Sequence, residues 1–202
     1  MKKIILKQEY KGLEDAKFTI LTDDKEVGKI EVKGNIYSPK VDAYGYYLDQ
    51  KFQLHFETLG TTKKHRQYTI IEDDETKGEI YHTIFRKNIF ISYEYIKCLY
   101  KEHEYTSYDI GLGMKNVYPV YKEDKEIAQI EKDGKVYNDL HEFIIYCLED
   151  ELLTVINAIY IYLGSYFITG QKVNKSYAKN YYKTTSKLLL SKYNPNWLEE
   201  NN

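Results

Sequence analysis

Hydrophobic and polar positions alternate along most of this chain with a period of two, until one late stretch where polarity vanishes. Lys51-Phe52-Gln53-Leu54-His55-Phe56 shows the alternation most cleanly. Every second side chain there is apolar, as in a strand with one wet face. Lys3–Lys7, Tyr44–Leu48, Asn88–Tyr93, Tyr95–Lys101, Tyr105–Ile110 and Glu142–Leu148 read as further strands.

One pattern recurs at an offset of 50 residues. Phe18-Thr-Ile-Leu-Thr-Asp-Asp24-Lys-Glu-Val-Gly28-Lys-Ile30 aligns without gaps to Tyr68-Thr-Ile-Ile-Glu-Asp-Asp74-Glu-Thr-Lys-Gly78-Glu-Ile80. A third copy runs Tyr118-Pro-Val-Tyr-Lys-Glu-Asp124-Lys-Glu-Ile-Ala128-Gln-Ile130. The aromatic residue and the Ile or Val two places on share one face of a strand. The acidic pair favours a turn, because its side chains bond their own backbone. A small residue then opens the returning strand, and its isoleucine faces inward. Each copy predicts a β-hairpin with an acidic tip. With the strands between copies the total is roughly a dozen, which a closed barrel accommodates without exposed edges.

From Leu152 to Ile168 no charged residue occurs. The run is too long for a usual strand, and Glu149-Asp150-Glu151 ahead of it complements a helix N-terminus. Gly170 is the expected stop. A helix apolar on every side must be buried on every side, and a barrel this wide needs a plug. A membrane span is the rival reading; Asn157 and the tyrosines at 160, 162 and 166 argue against it, since their polar tips want partners.

The expected architecture is mainly β with a C-terminal helix: a closed antiparallel barrel of about twelve strands around a buried hydrophobic helix, plus a polar tail. Residues 1–170 form the barrel with its helix at about 150–168, and 171–202 form a Lys/Tyr-rich, partly helical tail. Lys172, Lys175, Lys179, Lys183 and Lys187 recur every three or four residues, the spacing of one helix face, and Pro195 limits that helix to about Lys192.

Composition alters this picture little. Charges balance to a net −2, which argues against a protein that coats nucleic acid. Tyrosine is the anomaly, at 23 residues, and it suits pleated, half-buried surfaces. Cys98 and Cys147 lack metal spacing and read as buried free thiols of a reducing compartment. The apolar run after Lys3 is too short for a signal peptide, so the expected location is cytoplasmic, with peripheral attachment to a membrane as a variant.

The recurring hairpin, then Phe143-Ile-Ile-Tyr-Cys-Leu148, then the apolar helix from Leu152 together resemble the tubby C-terminal-like superfamily. That group unites tubby proteins, LURP-one-related proteins and phospholipid scramblases, and the similarity is to its small bacterial-type members. It covers roughly residues 1–170. It implies a twelve-stranded barrel around a central helix, and a role toward anionic lipids.

Chemical motifs are few. The acidic tips lack the alternating oxygen ligands of a calcium loop. His55, His65, His82, His103 and His141 show no metal or catalytic spacing, and His103-Glu104 and His141-Glu142 read as solvated turn residues. Gly111-Leu-Gly113 lacks the remainder of a dinucleotide loop and reads with Asp109 as a turn. Neither enzymatic activity nor a cofactor, metal or nucleic acid is expected. The expected function is a binding module for anionic lipid headgroups or another anionic ligand, through surface lysines. Lys63, Lys64, Arg66, Lys172, Lys175, Lys179 and Lys183 are the candidate contacts, each contributing about 1 kcal/mol near an anionic surface. The alternatives are a scaffold for a protein partner and a scramblase-like protein with Leu152–Ile168 in the bilayer.

Overall fold

The computed structural model describes residues 1–60, 64–87, 92–170, 178–181 and 183–202. Its first strands are β1 (Lys2–Lys11), β2 (Asp15–Thr22), β3 (Lys25–Asn35), β4 (Ser38–Tyr47), β5 (Gln50–Gly60), β6 (His65–Glu72) and β7 (Glu75–Arg86). There follow β8 (Ser92–Tyr100), β9 (His103–Ser107), β10 (Ile110–Gly113), β11 (Lys115–Lys122), β12 (Lys125–Asp133), β13 (Lys135–Tyr137) and β14 (Glu142–Cys147). The strands expected at Asn88–Tyr93 and Tyr95–Lys101 meet in β8; Asn88, Ile89, Phe90 and Ile91 lie outside the described residues.

Strands β1 to β9 pair in sequence, β9 pairs β11, β11 pairs β12, β12 pairs β14, and β14 returns to β1, all antiparallel. Twelve strands thus close a barrel as expected, and β10 hangs on the side of β11.

The three hairpins with acidic tips share one register. Phe18 faces Ile30 and Ile20 faces Gly28; Tyr68 faces Ile80 and Ile70 faces Gly78; Tyr118 faces Ile130 and Val120 faces Ala128. In each, the ladder slips directly after the second pair, at Ile20/Leu21, Ile70/Ile71 and Val120/Tyr121. The tips need left-handed backbone: Asp23, Asp24, Asp73, Asp74 and Glu123 all have positive φ. Aspartate tolerates that region better than most residues, and two-residue hairpin turns demand it. The small residue that follows has a steric reason, since a Cβ on Gly78 would stand 1.9 Å from the Leu99 carbonyl oxygen of β8.

Helix α1 (Glu151–Ser165) fills the barrel, with every residue from Leu152 to Leu163 buried. It packs on the inward side chains of the strands, among them Ile4, Leu6, Phe18, Ile20, Ile70, Ile80 and Phe143. It stops at Ser165, short of the expected Gly170, because Tyr166 and Phe167 both donate backbone bonds to the Tyr162 carbonyl. Among the described residues no helix is long and apolar enough to cross a membrane. Cys98 and Cys147 are buried and free.

Beyond the barrel lie β15 (Ala178–Asn180), β16 (Lys183–Thr184), α2 (Lys187–Leu190) and α3 (Trp197–Glu200). Strand β15 pairs β13 and β16 pairs β10. The helical face expected for the tail lysines is therefore corrected at Lys179 and Lys183, which lie in strands. Unpaired edges of β13 and β10 offer those residues ladder bonds that override local spacing. Farther on the tail lies against β11 and β12: the Tyr121 hydroxyl donates to the Lys192 carbonyl at 3.1 Å, and Trp197 is buried.

Candidate functional site

Tips Asp23-Asp24, Asp73-Asp74 and Glu123-Asp124 lie at the end of the barrel where α1 begins, and acids and lysines mix there: Asp150 accepts from Lys122 at 2.9 Å and Glu151 from Lys2 at 2.6 Å. The C-terminus of α1 meets the opposite mouth, where Lys11, Arg66, Lys132, Lys179, His82 and His141 stand with Asp109, Asp133 and Asp139.

At that mouth the tyrosines of the helix find polar partners. The Tyr162 hydroxyl accepts from Gln8 Nε2 at 2.9 Å, and Tyr166 Oη lies 3.0 Å from both Asn116 Nδ2 and Tyr118 Oη. Tyr160 donates its one hydroxyl proton to the Arg66 carbonyl at 3.0 Å and lies 2.8 Å from His82 Nδ1. That nitrogen must then be the donor, so the His82 lone pair sits on Nε2. Burial, reinforced by Arg66, His65 and Lys183, depresses His82 to about 4, and it stays neutral at ordinary pH. A cavity of about 210 Å³ adjoins it, lined by residues that include Glu94, Asp109, Lys183 and Ser186.

The denser cluster surrounds His141, directly before β14. Its backbone N–H donates to Gln8 Oε1 and its carbonyl accepts from the Gln8 N–H, both at 2.9 Å. Its ring centroid lies 4.9 Å from Tyr166, 5.6 Å from Tyr162 and 5.9 Å from Tyr181. This corrects the expectation of a solvated turn residue: His141 is 2 % exposed, because inward-facing tyrosines roof it. Buried Nδ1 has no hydrogen-bond partner among the described residues. Burial, then the charges of Lys132, Lys11 and Lys179, push the imidazole down to about 2.

Three elements deliver those lysines. Lys132 follows Ala128 and Ile130 on the inner face of β12 and is 1 % exposed. Its ammonium donates to the Asp133 carbonyl at 2.9 Å and stands over the rings of Tyr166 and Tyr181, 4.4 and 5.3 Å from their centroids. Burial lowers it to about 8. Lys11 ends β1, where a bulge between Gln8 and Tyr10 shifts the alternation and turns Lys11 inward beside Ala16. Burial lowers its pKa, Asp139 raises it and Lys179 lowers it again. Lys179 comes from β15 and bonds buried Asp139 at 2.7 Å. Carboxylates near these lysines include that Asp139 and the exposed Asp133. Buried cations are stable only when paired and hydrogen-bonded, so the cluster is chemically suited to hold an anion.

The residues expected from sequence are dispersed. Lys64 bonds Glu79 at 2.7 Å and lies over Tyr81 on the outer wall. Arg66 has positive φ and, with Lys183, belongs to the His82 side; Lys183 pairs with Asp109. Of the expected residues that are described, Lys179 joins the His141 cluster. Lys63, Lys172 and Lys175 lie outside the described residues. Lys11, Lys132 and His141 were missed, although the phase Ala128-Ile130-Lys132 marks Lys132 as inward.

No family model, curated protein or solved structure matches this chain.

Proposed function

We propose that the protein is a non-enzymatic binding module that takes an anionic group at the basic mouth of its barrel. The gathering of Lys11, Lys132 and Lys179 around His141 carries this reading. Two of these lysines are almost wholly buried, and the carboxylate inside the cluster already serves Lys179. An oxyanion accepting from the ammonium groups relieves their desolvation, and a ligand that does so binds the folded state alone.

The barrel around a central helix supports the resemblance to tubby-like domains, which we take as the affiliation of residues 1–170. The common register of the three hairpins supports their being copies of one unit. On this reading the anion belongs to a lipid headgroup or to a free small molecule. The first source implies a cytoplasmic protein attached peripherally to a membrane.

Calorimetric titration with inorganic phosphate tests the site itself. Co-sedimentation with phosphatidylserine against phosphatidylcholine vesicles, at low and high salt, tests the lipid source. Phosphate binding that Lys132→Met abolishes is the expected result. A wild type indifferent to phosphate and to both vesicles contradicts the proposal and favours a scaffold for a protein partner.

A further inference from the structure

The cluster is assembled from two parts of the chain. The barrel supplies Lys11, Lys132 and His141, whereas Lys179 and Tyr181 arrive with the C-terminal segment. Backbone pairing seats that segment at two places, beside the Lys179–Asp139 and Lys183–Asp109 ion pairs and the Tyr181 ring contacts. Val136 pairs Lys179 between β13 and β15, and the Tyr181 N–H donates to the Gly134 carbonyl at 2.8 Å. Leu112 pairs Thr184 and Gly113 pairs Lys183 between β10 and β16.

Each seat depends on a missing side chain. A Cβ on Gly134 would stand 2.3 Å from the Tyr181 carbonyl oxygen, and one on Gly111 would stand 2.6 Å from that of Lys183. Both are backbone atoms that cannot swing aside, so the glycines allow the close approach. The ladders are only three and two residues long, which makes docking marginal on hydrogen bonds alone.

Charge opposes the docking in part. Lys179 bonds Asp139, but it also approaches Lys11 and His141 closely enough to disfavour their protonation. We infer that an anion held by Lys11, Lys132 and Lys179 acts as a latch, locking the C-terminal segment onto the barrel and being locked in by it. This rests on the anion reading above and adds the regulation of that site. An anion between the lysines turns their repulsion into shared attraction, so it binds the docked state more tightly than the undocked one. By linkage, the docked segment strengthens anion binding by the same factor.

Trypsin digestion of the full chain, followed by intact mass, tests the latch, because Lys179, Lys183, Lys187 and Lys192 are cleavage points in the segment. Inorganic phosphate, against sodium chloride of equal ionic strength, is expected to slow cleavage there by about fivefold or more. Lys132→Met is expected to remove that protection. Gly134→Ala is expected to speed cleavage and to weaken phosphate binding by the factor by which phosphate had protected. Should Gly134→Ala disturb the barrel itself, Gly111→Ala unseats β16 away from the cluster and gives the same comparison. Calorimetric phosphate binding with unchanged cleavage overturns the latch and leaves the anion site standing. Absence of both binding and protection overturns the two together.

Discussion

Lys132 holds its ammonium 4.4 Å from the ring centroid of Tyr166, and Tyr166 is tied through its hydroxyl to Asn116 and Tyr118 of β11. A buried cation on β12 thus rests on the residue that caps the central helix and, through it, on the neighbouring strand β11, where Asn116 is the cross-strand partner of Lys132. A ring face returns about 2 kcal/mol to a desolvated cation, less than the several kcal/mol that removing an ammonium from water costs. The mouth therefore carries a desolvation deficit, which the proposed anion would relieve.

Stability should rise with pH between about 8 and 10.5. Lys132 has a folded pKa lowered from 10.5 to about 8, so in that window the unfolded chain binds more protons than the folded one. Lys11, also lowered, acts with the same sign. Lys132→Met should flatten the rise and, at pH 7 without phosphate, stabilise the protein by roughly 1–3 kcal/mol. Urea denaturation across pH 7 to 10.5 measures both effects.

Glu126 acts in the opposite sense. Burial raises it to about 7, one carboxyl oxygen has no partner among the described residues, and Glu200 of α3 adds repulsion, while the Tyr121 hydroxyl lies 3.3 Å from the other oxygen. Between about 4.5 and 7 the folded state binds the extra proton, so this stabilisation is lost as pH rises through 7. Glu126→Gln should match wild type near pH 5 and exceed it in melting temperature at pH 8, the gap opening across that interval in thermal scans.

Tyr160→Phe removes the group that His82 Nδ1 and the Arg66 carbonyl share. It should cost about 1–3 kcal/mol, the penalty for stranding buried polar groups. Nitrogen chemical shifts of the His82 ring should lose the single-tautomer signature that the hydroxyl imposes.

Ile156→Ala opens a cavity where α1 is wholly enclosed by strands. A loss of about 2–5 kcal/mol in chemical denaturation is expected for a buried plug. A helix facing lipid instead would leave stability in detergent-free buffer nearly unchanged.

The barrel was legible because its signals are local. Alternation, acidic turn pairs and an uncharged run each act within about twenty residues, and closure follows from strand number. The cluster was hidden because its members lie on β1, β12, β15 and before β14, brought together only by closure. Lys11 was obscured further by the bulge at Gln8/Tyr10, which reverses inside and outside within one strand. The lysines of the tail misled in the other direction. Their spacing suits a helix, but edge strands β10 and β13 take Lys183 and Lys179 into ladders, where helical period is irrelevant.

The most direct measurement is the NMR titration of the Lys132 side chain, with and without inorganic phosphate, assigned by comparison with Lys132→Met. A midpoint near 8 is expected in the free protein, moving upward when phosphate occupies the site, since a bound anion favours the charged ammonium. A midpoint at the ordinary value near 10.5, or a depressed one that phosphate does not move, would contradict it.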